Sequence, residues 1–283
     1  MTTVPPVCDP PALIPVGDPP SRPFGADIDR AWIIFGAVVV LVVLLIVRSP
    51  DPYWRIVRFM NDGIVVTMGV TVVSFVLIML AGLVGGLGRV SKNPIIAGVS
   101  LLYVEIVRGI PLLVQLLFIY YASPIVLRDI GLRIQGILPS LALALTTVRL
   151  NPFVAAVFGL TICYGAYMSE IFRAGIESIP KGQMEAARSL GMNYVQSMRY
   201  VILPQAFRMI LPPVGNEFVA LLKDSSLVSV VAVADMTRRG REFMASTFLA
   251  LETWMMVALL YLVLTLFFSR VAAYIERKAS VGR

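Results

Sequence analysis

The chain of 283 residues contains no histidine and only two cysteines, Cys8 and Cys163. Histidine is the commonest general base and metal ligand, so its absence argues against an acid–base enzyme or a histidine metal site. Two cysteines far apart in the sequence form neither a disulfide framework nor a metal-binding set. No Gly-Lys-Ser/Thr follows the pair Gly82 and Gly86, so a phosphate-binding loop for ATP is missing too. We therefore expect neither a catalytic residue nor a metal in this chain.

Charge is also scarce. Charged residues make up 14% of the chain and hydrophobic residues 58%, which is typical of a membrane protein. The stretch from Gly63 to Gly88 carries no charge and is long enough to cross a hydrocarbon core of about 30 Å. The net charge of +7 suits contact with anionic lipid headgroups. Because no basic patch is interleaved with aromatic residues, we expect no nucleic-acid partner.

The apolar pattern predicts an all-α polytopic membrane protein. Residues 1–30 hold eight of the nineteen prolines and are predicted to be a disordered tail. A short amphipathic stretch, Trp54–Met60, is predicted to be an interfacial helix, and residues 123–151 are left unassigned. The first apolar run, 31–47, is interpreted as an uncleaved extra span, with a helix lying on the membrane as the alternative. The predicted spans are Ala31–Val47, Gly63–Leu87, Pro94–Ala122, Pro152–Ile176, Gln205–Lys223 and Thr253–Tyr274.

A polar stretch from Glu177 to Pro204 separates two of these spans and predicts a helical hairpin. The first helix, Lys181–Leu190, is followed by Gly191, the residue type best suited to a left-handed C-cap. Asn193 can cap the second helix with Gln196 as its capping-box partner. We expect that helix to stop at Pro204, which lacks a backbone donor. A small helical knob at a membrane surface is suited to insertion into a groove of another protein.

The motifs in this stretch resemble those of a known family. Glu185-Ala186-Ala187, Gly191 and Leu203-Pro204 are similar to the cytoplasmic "EAA" loop of permease subunits in bacterial ABC importers. Two further blocks, Tyr103 to Gln115 and Leu211 to Leu227, resemble the polar amino acid branch, the histidine and glutamine permease type. The resemblance implies a type I ABC importer permease domain over 63–275, with five transmembrane helices and one extra N-terminal helix. It also implies that the six motif residues contact the ATPase: Glu185, Ala186, Ala187, Gly191, Leu203 and Pro204.

The resemblance further implies a function, a set of partners and a location. The chain would be the permease subunit that moves polar amino acids across the cytoplasmic membrane by alternating access. Its partners would be a second permease subunit (identical or merely similar), two ABC ATPase subunits and an extracytoplasmic amino-acid-binding protein. ATP and magnesium would bind to the ATPase and not to this chain. Lysine and arginine counts differ little between the two sides, so the family decides the orientation, with the loop 177–204 and the C-terminus cytoplasmic.

Charged residues inside the predicted spans need partners or a polar cavity, because a lone charge at mid-bilayer costs about 2.5–3.5 kcal/mol on insertion scales. Glu105 and Arg108 lie three apart beside a break at Gly109 and Pro111, and Glu170 and Arg173 repeat that spacing. We interpret both pairs as structural ion pairs. The span Gln205–Lys223 carries Pro212 and Pro213 and is predicted to be broken there. Its end is the candidate for the solute path or gate, formed by Asn216, Glu217, Lys223, Asp224 and Ser226.

Three of these residues predict specific contacts: Asn216 and Glu217 with an α-amino group, and Lys223 with a carboxylate in a polar cavity. A gate and subunit contact without a ligand is an equally open interpretation of this segment. A permease for another small solute would share the loop but not the block from Glu105 to Gln115. A secondary transporter would need coupling-ion ligands and often has internal repeats, and no repeat is visible.

Overall fold

The computed structural model describes residues 26–280, and this part of the chain is helical, without a strand. The all-α prediction is therefore confirmed. Two pairs of helices join without a break, through π-helical turns at Phe118–Ala122 and Met198–Ile202, and a 3₁₀ helix follows at Ser225–Val231. The α-helices are α1 Ala26–Arg48, α2 Pro50–Arg89, α3 Pro94–Arg108, α4 Leu112–Leu117, α5 Ser123–Ile134, α6 Pro139–Thr146, α7 Pro152–Glu177, α8 Lys181–Ser189, α9 Tyr194–Ser197, α10 Leu203–Asp224, α11 Met236–Thr247 and α12 Ala250–Ser280.

Four helical stretches in the described part of the chain are long and apolar enough to cross a membrane: α2, Leu112–Ile134, α7 and α12. They contain or overlap four of the six predicted spans. The apolar part of α1, Trp32–Arg48, is shorter than these four. Helix α10 has 22 residues but is less apolar, because it carries the polar residues assigned to the solute path.

Two predicted boundaries near the N-terminus are wrong. The helix α1 begins at Ala26, so the last five residues of the predicted tail are helical, while residues 1–25 lie outside the described part. The predicted interfacial helix Trp54–Met60 is not separate, because it forms the early turns of the 40-residue α2. Ile56 and Met60 are completely buried against α11 and α12 and hold these turns in the bundle.

The predicted span Pro94–Ala122 is divided at Gly109-Ile110-Pro111. Pro111 has no backbone donor and has an extended conformation (ψ of 138°), so the helix is interrupted there. The side chain of Gln115 compensates, because its Nε2 donates to the carbonyl oxygens of Val107 at 2.8 Å and Ile110 at 2.9 Å. Helix α4 then continues through the first π-helical turn to Ile134, and α6 folds back on α5. The unassigned segment 123–151 is thus mostly this helical hairpin.

Three prolines do not break helices where the sequence predicts breaks. Pro204 lies in the first turn of α10, and the chain is helical without interruption from Tyr194 to Asp224. The second π-helical turn ends just before Pro204, and a wide turn tolerates a residue that lacks a donor. Pro212 and Pro213 lie inside α10, which is continuous at both residues. The predicted broken helix is therefore wrong.

Helices α2 and α7 form the centre of the bundle and pack closely through glycines. A Cβ atom added to Gly86 would lie 2.6 Å from the Cβ of Phe172, and one added to Gly82 would collide with Met168. The interpretation of Gly82 and Gly86 as helix-packing residues is confirmed. The central core combines α2, α4, α7 and α10, and a second cluster joins α1, the start of α2, α11 and α12.

Candidate functional site

A cavity of about 410 Å³ opens between the break that follows α3 and the facing surfaces of α7 and α10. It falls in the size range of small-molecule sites. Apolar contributions come from Ile110, Pro111 and Leu112. The remaining lining is polar or aromatic, and consists of Arg108, Gly109, Cys163, Tyr164, Tyr167, Glu217 and Asp224.

The side chains in this cavity hold each other in position. The hydroxyl of Tyr164 donates to Oδ2 of Asp224 at 2.7 Å, which links α7 to the end of α10. The guanidinium of Arg108 lies over the ring of Tyr167, 5.1 Å from its centroid, within the range of a cation–π contact. The cavity therefore presents one cation and two carboxylates at its wall. That combination complements a solute which carries both an ammonium and a carboxylate group.

The structure brings two of the five predicted path residues into the cavity, Glu217 and Asp224. Ser226 is half-buried in the 3₁₀ helix and does not line it. Asn216 and Lys223 are exposed elsewhere on α10. The expectation that Lys223 lies in a polar cavity is thus not met in the single chain, because the helix turns its side chain away from the wall that Glu217 and Asp224 occupy.

Sequence reasoning missed the aromatic wall of the cavity. Tyr164 and Tyr167 lie three apart on α7, and Tyr164 is buried. A buried tyrosine usually needs a partner for its hydroxyl, and this requirement is the signal that could have pointed to Asp224. Arg108 was assigned to an ion pair, although it lies directly before the helix break and so at the entrance to any space that the break opens.

The predicted ion pair of Glu105 and Arg108 is wrong for the single chain. Glu105 is exposed, and Arg108 contacts Tyr167 instead of a carboxylate. The three-residue spacing permits a contact on a helix but does not require it. The break after Arg108 frees its side chain to turn toward α7.

The predicted ion pair of Glu170 and Arg173 is confirmed. Nε of Arg173 donates to Oε1 of Glu170 at 2.9 Å, and Arg173 also binds Glu177. A further cation, Arg89 at the end of α2, lies 3.5 Å from Oε2 of Glu170. This ionic cluster holds the end of α2 to the end of α7, directly before the hairpin begins.

The hairpin of α8 and α9 has the caps that the sequence predicts. Gly191 has φ of +84°, the left-handed conformation that favours glycine. The amide of Met192 donates to the carbonyl of Ala187, and the amide of Gly191 to that of Arg188, which together form a Schellman motif. The backbone amide of Gln196 donates to Oδ1 of Asn193, and the backbone amide of Asn193 donates to Oε1 of Gln196, both at 2.9 Å, so the capping box is present.

The hairpin leaves apolar residues at its surface. Leu190 is 81% exposed, Val195 70% and Tyr200 63%. Of the six predicted coupling residues, Ala187 is buried, while Glu185, Ala186, Gly191, Leu203 and Pro204 are exposed. Exposed apolar patches of this kind mark sites of protein–protein contact.

Helices α7 and α10 connect the hairpin to the cavity. Helix α7 carries Tyr164 and Tyr167 in the cavity, then Glu170 and Arg173 in the ionic cluster, and ends just before α8. Helix α10 begins at the end of the hairpin and reaches the cavity with Glu217, about 21 Å further along its axis. Both helices are continuous, so each forms a direct structural connection between the hairpin and the cavity wall. The described residues contain no group of three or more side chains able to hold a metal ion.

Comparison with known proteins agrees with this arrangement. Residues 78–281 match the family described as binding-protein-dependent transport system inner membrane component. The glutamine transport system permease protein of Escherichia coli K12 is 36% identical over 228 residues, which cover 81% of this chain and 96% of that protein. The L-cystine transport system permease protein of Bacillus subtilis is 37% identical over 227 residues, covering 80% of this chain and 87% of that one.

A solved structure has the same fold. The crystal structure of an amino acid ABC transporter with histidines has a chain that is 38% identical, with a TM-score of 0.66. The similarity covers 78% of this chain and 94% of that chain. The fold is therefore that of an ABC importer permease, and this multi-pass membrane protein belongs to the family of binding-protein-dependent transport system inner membrane components.

Proposed function

We propose that this chain is the permease subunit of an ATP-driven importer of polar amino acids, and that the cavity between α3, α7 and α10 holds the amino acid during passage. The observation that carries the proposal is the presence of Arg108, Glu217 and Asp224 around one space of about 410 Å³. Every free amino acid has an α-carboxylate and an α-ammonium group. A site that binds both groups needs a cationic and an anionic side chain close to each other. The relatives named above as glutamine and cystine permeases support this substrate class.

Each charged residue has a role in this proposal. Arg108 pairs with the α-carboxylate, which suits the planar guanidinium. Glu217 accepts a hydrogen bond from the α-ammonium group. Asp224, which the hydroxyl of Tyr164 orients, accepts a second hydrogen bond from the same ammonium group. The exposed residues Asn216 and Lys223 face the second permease subunit, and they complete the path from the other side. Alternating access opens the cavity first toward the binding protein and then toward the cytoplasm.

Transport assays on the assembled importer test the proposal. Loss of one charge-assisted contact costs about 1.5–3 kcal/mol, so Arg108→Gln and Glu217→Gln should each raise the half-saturating amino acid concentration by about tenfold or more. Arg128→Gln is the matched control, because Arg128 is exposed on α5 away from the cavity. If both cavity variants keep the half-saturating amino acid concentration and the transport rate of the wild-type importer, this cavity does not hold the amino acid during transport.

The exposed apolar surface of the hairpin supports the proposed coupling to a separate ATPase. In this proposal Glu185, Ala186, Ala187, Gly191, Leu203 and Pro204 form or shape the contact. ATP and magnesium bind to two ABC ATPase subunits, and closure of these subunits moves α7 and α10 through the hairpin. An extracytoplasmic amino-acid-binding protein delivers the solute to the opposite face of a permease dimer, formed by two copies or by this chain and a relative.

The proposed orientation puts the hairpin and the C-terminus in the cytoplasm, with α1 crossing the membrane beside α12. Thiol labelling of intact cells tests it with Thr2→Cys and Ser189→Cys. Both cysteines should resist an impermeant reagent and react after the cells are opened. Labelling of Thr2→Cys alone from outside would show that α1 does not cross, and labelling of Ser189→Cys would reverse the whole orientation.

Two other functions make different predictions. A permease for another small solute would keep the coupling to an ATPase but would show no binding of amino acids to the cavity. A secondary transporter would purify without an ATPase and would depend on an ion gradient. Copurification of ATPase subunits with the tagged chain separates the second alternative from the proposed function, and transport competition by amino acids separates the first.

A further inference from the structure

A second cavity lies in the groove between α1 and α12, and it shares no lining residue with the solute cavity. Its volume is about 610 Å³. Trp32 contributes one wall from α1, and residues of α12 form the rest. Three of these are cationic and one is aromatic: Arg270, Arg277, Lys278 and Tyr274. Apolar atoms of Val271 and Ala273 complete the lining.

The cationic residues share one face of α12. Ala273 and Tyr274 lie three and four residues after Arg270, and Arg277 and Lys278 lie three and four residues after Tyr274, which places the five residues along one stripe. The acidic residue between them, Glu276, does not line the groove. The stripe therefore presents positive charge to this groove.

Arg270 has a donor without a partner. Its Nε is buried, and no acceptor lies within hydrogen-bond reach in the described part of the chain. A buried donor that stays unsatisfied destabilises a structure, so Arg270 can offer this donor to an acceptor outside the described residues.

The groove lies at the depth where a membrane changes from hydrocarbon to headgroups. No charged residue occurs between Glu252 and Arg270 on α12, a stretch of about 25 Å, and the charged stripe starts where that stretch ends. Helix α1 runs antiparallel to α12, with Phe35 against Phe267 at 6.3 Å, so its apolar part begins at the same level with Trp32. Tryptophan and tyrosine at that level are typical of the membrane interface.

We propose that the groove between α1 and α12 binds the phosphodiester headgroup of an anionic phospholipid. The phosphate accepts hydrogen bonds from Arg270 and pairs with Lys278, while an acyl chain follows the apolar wall toward Trp32. Guanidinium groups match phosphate oxygens in geometry and charge, and basic pockets between transmembrane helices are suited to such headgroups. The apolar part of the lining favours a lipid over a free phosphate. The proposal does not depend on which solute is transported.

Native mass spectrometry of the purified full chain tests the proposal, with phosphatidylglycerol and phosphatidylcholine of the same acyl composition. The wild-type protein should retain phosphatidylglycerol at lower lipid concentration than phosphatidylcholine. The double variant Arg270→Gln, Lys278→Gln should weaken retention of phosphatidylglycerol by about 25-fold, because each cation near a headgroup contributes about fivefold. Arg277 has another interaction in the structure and is left unchanged. The control Arg128→Gln, Arg133→Gln removes the same charge from α5.

Two further measurements keep the result decisive. Lys278 is exposed, so Lys278→Glu should fold normally and still lose most of the preference for phosphatidylglycerol. The unfolding midpoint of the wild-type protein should rise with phosphatidylglycerol and not with inorganic phosphate. Equal retention of the two lipids, or an unchanged preference in Lys278→Glu, would overturn the proposal. A rise of the unfolding midpoint with inorganic phosphate but not with phosphatidylglycerol would mean that the ligand is a soluble phosphate and not a lipid.

Discussion

The hydroxyl of Tyr164 donates a hydrogen bond of 2.7 Å to the carboxylate of Asp224, and this bond joins α7 and α10, the two helices that flank the hairpin of α8 and α9. Tyr164 is buried, whereas Asp224 is half-buried at the cavity wall. Helices α7 and α10 also meet through apolar contacts in the central core, so the bond is one part of a larger contact. It is the part that lies in the proposed solute path.

Tyr164→Phe should therefore impair transport without unfolding the protein. A hydrogen bond to a charged carboxylate contributes about 1.5–3 kcal/mol, and the ring that packs in the core is retained. We expect a fall in transport rate of about tenfold or more and higher basal ATP hydrolysis in the assembled importer, because the two helices then separate more easily. Reconstituted transport and hydrolysis check this together. Tyr53→Phe, at the start of α2, is the control, and wild-type values in Tyr164→Phe would remove the bond from the mechanism.

Gly191 tests the coupling role of the hairpin. Its φ of +84° disfavours any side chain by about 1 kcal/mol, while a Cβ there would meet no atom of the described residues within 4 Å. Gly191→Asp should consequently leave a stable, membrane-inserted permease that no longer retains or stimulates its ATPase. Gly191→Asn is the control for conformation, since asparagine tolerates this region better. Normal ATPase retention and transport in Gly191→Asp would show that the hairpin end does not contact the partner.

Local patterns predicted the hairpin caps and the glycine contacts of α2, because both depend on residues close in sequence or on the size of one residue. The same reasoning failed at Pro204 and Pro212. A proline removes one hydrogen bond, but the contacts of a buried helix offset that loss, and the π-helical turn before Pro204 accommodates it. The contact of Arg108 with Tyr167 was unpredictable from spacing, because it joins helices that only the tertiary fold brings together.

The two predicted ion pairs, one present and one absent, allow a matched comparison. Glu170→Gln removes the charge that Arg89 and Arg173 share, so it should lower the free energy of unfolding by about 1–3 kcal/mol. Glu105→Gln changes an exposed residue that has no ion pair within residues 26–280 and should alter stability by less than about 0.5 kcal/mol. Denaturation of the isolated permease in detergent measures both. Equal effects would mean that the ionic cluster contributes nothing measurable.

Asp235 gives a prediction for pH dependence. It is completely buried before α11, where its carboxylate accepts from the amides of Thr237 at 3.1 Å and Arg238 at 3.0 Å. Burial raises the pKa of this carboxyl above its ordinary value, and the hydrogen bonds to the two amides oppose the rise without cancelling it. The folded protein therefore binds a proton at Asp235 more tightly than the unfolded chain does.

The sign of the effect follows from this difference. Between the ordinary pKa of about 4 and the raised value in the folded protein, the folded state holds more protons, so stability falls as the pH rises. Asp235→Asn keeps a side chain that caps a helix but does not titrate. The stability of the wild-type protein minus that of Asp235→Asn should be greatest at acidic pH, decrease through this window and then become constant. Unfolding midpoints of both proteins from acidic to neutral pH give this difference directly. An increase with pH would mean that the amides stabilise the carboxylate more than burial destabilises it, which would reverse the direction of the pKa shift.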